Sequence, residues 1–390
     1  MQRRHFLSLT ALAVAARAAE PAKMRVAVIG HTGQGDYGHG VDTMWLNLPE
    51  TEIVGFADAD DAGRAKEEKK LKGVKSYADY KQLLAATKPD LVAICSRHVG
   101  EHRAMALAAI EAGARGLYFE KPFARDLAEC DEIMAAAAPR HVKIAIAHRN
   151  RYNPTLQAVD KVIADGKIGR ILEVRARGKE DPRGGALDFW VLGSHVLNMV
   201  MYFGGKPKAC TGMLYQGDRP ATPSDVVQGA EDVGPIAGDA LYARYEMERG
   251  FPFYFETIKG AGNKAAGFGY QIIGTEGLID FRADAVQLPY LVPGSPFKPA
   301  NEPRPWIPIT TAGPGQPEPL TDISQNVMGH LAGARDLIAA VREDKKPVVS
   351  AEDGRLIIEM IFAVFQSHIK NGARVTFPIE GKTNPLASWK

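Results

Sequence analysis

The chain has 390 residues, 45% hydrophobic and 24% charged, which is apolar material for two or three domains with full cores. That composition excludes a disordered chain, a disulfide scaffold and a coiled coil. Lys and Arg number 48 against 46 Asp and Glu, and a net charge of +2 gives no pull toward nucleic acid or an anionic membrane. Three scattered cysteines, Cys95, Cys130 and Cys210, lack the pairing of a disulfide framework or zinc site. No window reaches the ~18 uninterrupted apolar residues of a membrane span. Glycine stands out at 39 of 390 residues, against ~7% in ordinary proteins, so many tight turns or close backbone approaches are expected.

Arg3-Arg4, then Phe6-Leu7 and a small apolar run to Ala16-Arg17-Ala18, have the layout of a secretory leader of the twin-arginine kind. Residues 1–18 are therefore set aside as a signal peptide, with an ordinary N-terminal helix as the alternative. The expected location is periplasmic or otherwise extracytoplasmic, reached in the folded state.

Met24 to Ile29 is a β-branched run without turn residues, the pattern of a strand buried on both faces. Gly30 follows at its end, and Gly33, Gly35 and Gly38 spell G-x-G-x-x-G before a predicted helix over Val41–Leu48. Glycines there let the backbone turn and approach a pyrophosphate, which the helix N-terminus then holds. The next strand, Glu52–Ala57, ends on Asp58, twenty residues after Gly38. An acid at that distance meets the adenosine ribose and favours NAD. Asp60 competes for that role, Arg64 leaves NADP open, and capping of the helix Ala62–Lys70 is the structural alternative. Strands at Leu91–Cys95 and Gly116–Phe119 alternate with helices His102–Ala112 and Asp126–Ala138. The pattern predicts an α/β dinucleotide-binding domain of the Rossmann type over residues 24–147. His98-Val-Gly-Glu-His102 matches a zinc-protease signature, but Gly100 and the preceding strand argue for a loop. Ser96, His98 and His102 are placed there beside the nicotinamide half of the cofactor, and no metal is expected.

Glu120-Lys121-Pro122 follows the next strand, at the carboxyl-end crevice where ligands of parallel sheets bind. A lysine there can polarise a substrate hydroxyl, and Glu120 sits beside the cofactor. A strand over Ile144–Ala147 ends in the polar cluster His148-Arg-Asn-Arg151-Tyr152-Asn153-Pro154, and Gly193-Ser-His195 opens an apolar helix. Arg151 and Tyr152 are candidates for substrate hydroxyls, with ion pairing and core packing as their alternatives.

The order of these motifs resembles the Gfo/Idh/MocA oxidoreductase family, from residue 24 to about 380. Ile273-Gly-Thr-Glu-Gly277 and the stretch from Pro347 through Gly354 to Phe377-Pro378 fit it as well. The resemblance implies an NAD(P)-dependent enzyme of sugars or polyols whose second domain, residues 148–380, is α+β with a large, mostly antiparallel sheet. It also implies a homo-oligomer, a dimer or tetramer. Lys121 and His195 take the family's catalytic positions, the histidine as proton acceptor and the lysine beside the developing alkoxide. The family's aspartate four residues before the histidine is here Val191, and the acid that often follows is Asn198. Asp188 is the expected spatial substitute, and Asp188 and Asn198 join the substrate candidates.

Lys179–Gly185 reads as an exposed loop, and residues 241–258 as a hairpin of long strands. Ten of the 25 prolines fall within residues 289–319, which predicts a surface loop, or an arm that packs Trp306 on a neighbouring subunit. Outside the cytoplasm no nicotinamide pool renews a cofactor, so an exported enzyme should keep its NAD and return it unchanged each cycle. Three functions follow: a sugar oxidoreductase, a redox-assisted glycosidase (transient oxidation, elimination, re-reduction), or a non-catalytic sugar-binding protein.

Overall fold

The computed structural model describes residues 22–262, 268–283 and 288–390, so the leader expected over residues 1–18 lies outside the described residues. Six strands form a parallel sheet: β1 (Met24–Ile29), β2 (Thr51–Ala57), β3 (Ser76–Tyr77), β4 (Leu91–Ile94), β5 (Gly116–Phe119) and β6 (Lys143–Ile146). Their order is β3-β2-β1-β4-β5-β6, with the reversal at β1/β4 where such sheets bind ligands. Four helices connect them, α1 (Asp61–Lys70), α2 (Tyr80–Thr87), α3 (His102–Glu111) and α4 (Leu127–Ala137). Every residue of β4 and β5 is buried, as uninterrupted apolar strands covered on both faces require.

The helix expected over Val41–Leu48 does not form; that stretch is turns and a short 3-10 helix, Met44–Asn47. His39 and Gly40, just before it, both have positive φ, 43° and 85°, and Leu48 at its end is extended (φ −115°, ψ 108°). Trp45 donates its indole N–H to the Val41 carbonyl (2.9 Å), and the Thr51 hydroxyl donates to the Trp45 carbonyl (2.8 Å). The helical spacing of Val41, Trp45 and Leu48 therefore reports burial alone.

The second unit starts with α5 (Leu156–Ala164), β7 (Ile171–Arg177) and a continuous helical stretch. That stretch is α6 (Ala186–Asp188), a π-helical segment (Phe189–Gly193) and α7 (Ser194–Gly204). Next come β8 (Pro207–Gln216), the short β9 (Arg219–Pro220), β10 (Val227–Gln228) and β11 (Pro235–Ile236), then the expected hairpin, β12 (Ala240–Met247) and β13 (Pro252–Ile258). The Pro-rich run is more than a loop: after β14 (Gly269–Gly274) and β15 (Gly277–Arg282) it supplies β16 (Tyr290–Pro293), β17 (Ile307–Thr310) and β18 (Gly313–Pro314). These strands close one edge of the sheet, where a missing N–H is tolerated; Pro308 serves there by accepting from Gly315 N (2.8 Å). Trp306 packs edge-on to Tyr290 of its own chain and stays half exposed.

The sheet order is β18-β17-β16-β15-β14-β7-β13-β12-β8-β19, the last being Val375–Thr376; β9 pairs with β8, and only β7/β13 run parallel. The chain finishes with three helices before β19: α8 (Ile323–Met328), α9 (Leu331–Glu343) and α10 (Ala351–Ile369). Helix α10 lies between β8 and α4, while α9 packs on β5 and β6 of the first sheet, so the two units share helices as well as a cleft. Trp190 meets Phe362 of α10, and Phe189 meets Phe255 of β13, which fixes the π segment within the core. Among the described residues, one helical stretch, Ala186–Gly204, is long and apolar enough to cross a membrane, and it is mostly buried in this core.

Ser350 caps α10 reciprocally: its hydroxyl accepts from Asp353 N, and the Asp353 carboxylate accepts from Ser350 N (2.8 Å). Ser350→Ala is expected to lower unfolding stability by about 1 kcal/mol, read as a shifted urea midpoint with unchanged slope.

Candidate active site at the domain cleft

Lys121 leaves the carboxyl end of β5 and is only 4% exposed. A buried ammonium needs acceptors. Its Nζ donates to the Val191 carbonyl (2.9 Å), offered by the π segment, and lies 3.8 Å from Glu120 Oε1. Glu120 also pairs with His39 Nδ1 (2.8 Å), while its Oε2 is buried with no hydrogen-bond partner. Burial alone would raise the Glu120 carboxyl; the His39 hydrogen bond and the Lys121 charge outweigh it and bring it to about 2.

His195 stands on the first turn of α7, one turn after Val191. Its Nδ1 has no hydrogen-bond partner, and its ring meets His148 edge-on at 5.4 Å. Burial, then the Lys121 charge, holds His195 well below its usual pKa and brings His148 to about 3. Lys121, His195, His39 and Glu120 line one cavity of about 190 Å³, together with Arg149, Lys179 and His330. His330 enters it from a left-handed position (φ 60°) before α9 and bonds the Tyr118 hydroxyl through Nδ1 (3.1 Å). Burial outweighs the attraction of Glu120 and lowers His330 to about 4. A neutral imidazole can accept a proton from an alcohol, and a fixed ammonium can hold the alkoxide that results.

The glycine-rich loop folds over the carboxyl ends of β1 and β4. Gly38 N donates to the Cys95 carbonyl (2.8 Å), and Arg97 N to the Gly35 carbonyl (3.2 Å). A Cβ on Gly35 would lie 2.3 Å from His98 N, and one on Gly38 would lie 2.7 Å from the Glu120 carboxyl carbon. Tyr37 covers Gly30, whereas Gly33, at φ 81°, has open space around it. Asp58 sits at the end of β2 and accepts from Thr32 N (3.0 Å), Thr32 Oγ1 (2.7 Å) and Asp60 N (3.0 Å). The cap of α1 is Asp60, through Gly63 N (2.6 Å), so Asp58 is turned to the loop instead. Arg64 is engaged by the Asp58 carbonyl (2.7 Å) and Asp61. These residues fit a dinucleotide: a tight loop with one open glycine, an acid at the β2 end, and the orphaned Glu120 Oε2 at the β5 end.

The rest of the loop divides. His98 Nδ1 faces Gln34 Oε1 (3.1 Å), and the Ser96 hydroxyl donates to the Gln34 carbonyl (2.7 Å), both beside the glycine-rich loop. His102 is fully buried, with its two nitrogens facing the Phe123 and Ser96 carbonyls (3.1 and 2.7 Å), so it braces the loop from below. The two histidines of the protease-like signature thus turn to different partners.

Several expected substrate residues face elsewhere. Tyr152 donates to Asp336 (2.9 Å) on α9, away from the cavity. Arg151 stacks over Tyr202 at 4.8 Å. Asp188 is not part of the cavity wall; its Oδ2 accepts from Thr257 Oγ1 (2.6 Å) and Glu180 N (3.0 Å), and its Oδ1 is buried without a partner. Asn198 is buried one turn beyond His195, its Oδ1 without a partner. Lys179, expected on an exposed loop, is half-buried in the cavity wall, and Glu180 beside it is buried. His39, Arg149 and His330 were not among the sequence candidates. His39 lay within the glycine motif and Arg149 within the polar cluster after β6, but nothing local marks His330.

A parallel nucleotide sheet, a lysine and histidine meeting across a cleft, and an antiparallel second sheet together define a two-domain, NAD-binding oxidoreductase. Residues 24–148 match the family model for the NAD-binding Rossmann fold, and residues 160–377 the family's C-terminal alpha/beta domain. The chain belongs to the Gfo/Idh/MocA oxidoreductase family. It is 34% identical to the trans-1,2-dihydrobenzene-1,2-diol dehydrogenase of Bos taurus, over 42% of this chain and 52% of that one, so it spans about half that protein's length. It is 24% identical to the scyllo-inositol 2-dehydrogenase (NADP(+)) of Bacillus subtilis, over 69% of this chain and 74% of that one. Levoglucosan dehydrogenase, solved with NADH and levoglucosan, superposes with a TM-score of 0.69 at 20% identity, covering 91% of this chain and 99% of that one.

The buried histidines make stability pH-dependent. An unfolded histidine takes its proton near pH 6.5, whereas His148 and His330 hold out to about 3 and about 4. Their contribution is complete above pH 6.5 and is lost as pH falls toward those values. Glu67, raised to about 8 by burial and its bond with Asp42, acts oppositely and offsets part. Urea unfolding is expected to lose on the order of 1 kcal/mol per pH unit between pH 6.5 and 4.5. His330→Gln should flatten that slope.

Proposed function

We propose that the protein oxidises or reduces a hydroxyl carbon of a sugar or polyol, with Lys121 and His195 as its catalytic residues. The observation that carries this reading is that both side chains, from separate domains, line one cavity at the carboxyl end of the NAD-binding sheet. NAD would be held by the loop from Gly30 through Gly33 and Gly35 to Gly38, by Asp58, by Ser96 and His98, and by Glu120, and when bound it supplies the hydride acceptor. In the oxidising direction neutral His195 takes the hydroxyl proton, and the Lys121 ammonium steadies the oxyanion. The Val191 carbonyl keeps Lys121 extended toward the cavity.

The same reading takes residues 1–18 as a twin-arginine leader and places the mature protein outside the cytoplasm. NAD is then loaded before export and recycled in place by paired oxidation and reduction. A second reading is the redox-assisted glycosidase, with which His195 lacking the family's aspartate is compatible.

The full-length chain, purified and acid-denatured, should release about one NAD(H) per protein, identified by chromatography. NADP(H) would overturn the role given to Asp58, and an empty site would overturn cofactor retention. Lys121→Met and His195→Asn should each lower kcat by about 10²–10⁴ while bound nucleotide is unchanged. Glycoside cleavage without net NADH would select the second reading. No turnover of any sugar by the unmodified chain, with sugar binding unchanged by Lys121→Met, would leave a sugar-binding protein.

A further inference from the structure

Among the described residues, the cavity wall carries more cations than acids. Among the described residues, Glu120 is the only acid in its wall, and Lys121 and His39 already answer it (3.8 and 2.8 Å). Arg149 adds a second cation to the wall and donates to the Met328 carbonyl (3.3 Å). Lys179, beyond the end of β7, is half-buried, and among the described residues its ammonium has no ion-pair or hydrogen-bond partner. A partly desolvated ammonium without a counter-charge is costly. Among the described residues no acid lies within ion-pairing distance of it; Asp181 feels its charge but is held by Arg183 (3.0 Å), and Val191 occupies the position from which the family's aspartate would bring a negative charge toward His195.

We infer that the substrate supplies the missing charge: it is a sugar acid, of the uronic or aldonic class, whose carboxylate pairs with Lys179 while its reacting hydroxyl lies between Lys121 and His195. This rests on the dehydrogenase reading of the same site and names its substrate class. At about 190 Å³ the cavity is smaller than the ~300 Å³ at which drug-sized sites begin, which suits one monosaccharide unit. The carboxylate also provides, near His195, the negative charge that Val191 does not. A neutral polyol of the same size satisfies the catalytic pair but leaves Lys179 unanswered.

The test is calorimetric binding to the NAD-loaded full chain, using D-glucuronate against D-glucose, D-galacturonate against D-galactose, and D-gluconate against D-sorbitol. At least one acid should bind about tenfold to a hundredfold more tightly than its neutral counterpart, as expected for one charge-assisted pair. The advantage should shrink as salt rises, because the pair is partly solvent-screened. Lys179→Met should abolish the difference between acid and neutral sugar, and Lys179→Arg should keep most of it. In turnover the loss should fall on KM rather than kcat. If no acid outbinds its counterpart, or if Lys179→Met leaves the preference intact, the inference is overturned. Oxidation of a neutral sugar in preference to every acid would overturn it while leaving the dehydrogenase reading standing. Acid binding that persists in a chain unable to hold NAD would do the reverse.

Discussion

The functional geometry depends on one buried cation. Lys121 sits where the parallel sheet ends, away from bulk water, and an ammonium there is tolerable only with acceptors on hand. One acceptor, Glu120, is its own neighbour in sequence; the other, the Val191 carbonyl, belongs to the second domain. This bond ties the two domains together at the reacting end of the cleft. It also gives a physical use to the π segment over Phe189–Gly193, since wide helical turns of that kind gather at functional sites. Phe189 and Trp190 anchor the same segment in the core, so Val191 has little freedom to withdraw its carbonyl.

That arrangement accounts for the neutral histidines. His195, His148 and His330 lie within reach of the Lys121 charge and are buried, and both effects disfavour the imidazolium. The family's aspartate would oppose them by stabilising protonated His195. With Val191 in its place the site has an imidazole that starts neutral and, once protonated, surrenders its proton easily. Such a group suits a reaction in which the proton goes back in the same cycle.

Much of this was legible in the sequence because it is local. Buried parallel strands announce themselves as unbroken β-branched runs, so β1, β2, β4 and β5 fell where expected, and Lys121 followed from its place after β5. The hairpin β12/β13 was legible from alternation over residues 241–258. What failed was reading three-dimensional neighbours from periodicity or proximity. Val41, Trp45 and Leu48 have helical spacing, yet the stretch folds as turns and a short 3-10 helix. Tyr152 and Asp188 lie near functional residues in sequence, but Asp336 and Thr257, each over 60 residues away, hold the Tyr152 hydroxyl and Asp188 Oδ2. His330 reaches the cavity from some 200 residues beyond Lys121, and no local signal foretells such an approach. The Pro-rich run misled for a different reason: proline is excluded from the interior of a sheet, not from its edge.

The missing helix after the glycine-rich loop changes how this domain can hold a pyrophosphate. In the usual arrangement two sources of positive potential coincide, the loop amides and the aligned dipoles of the helix they begin. Here the chain after Gly40 runs through turns and a short 3-10 helix, too few aligned peptides to build a macrodipole. Anion binding must then come mainly from individual N–H groups in the loop, where Gly33 at φ 81° leaves the backbone open to close approach. A loop that works through separate amides depends on its own shape being held. The contacts of Gly35 with Arg97, of Gly38 with Cys95, and of Thr32 with Asp58 hold it at three points. Two of these contacts are to the segment after β4 and the third is to the end of β2, so the shape of the loop is inherited from the sheet and not from a helix.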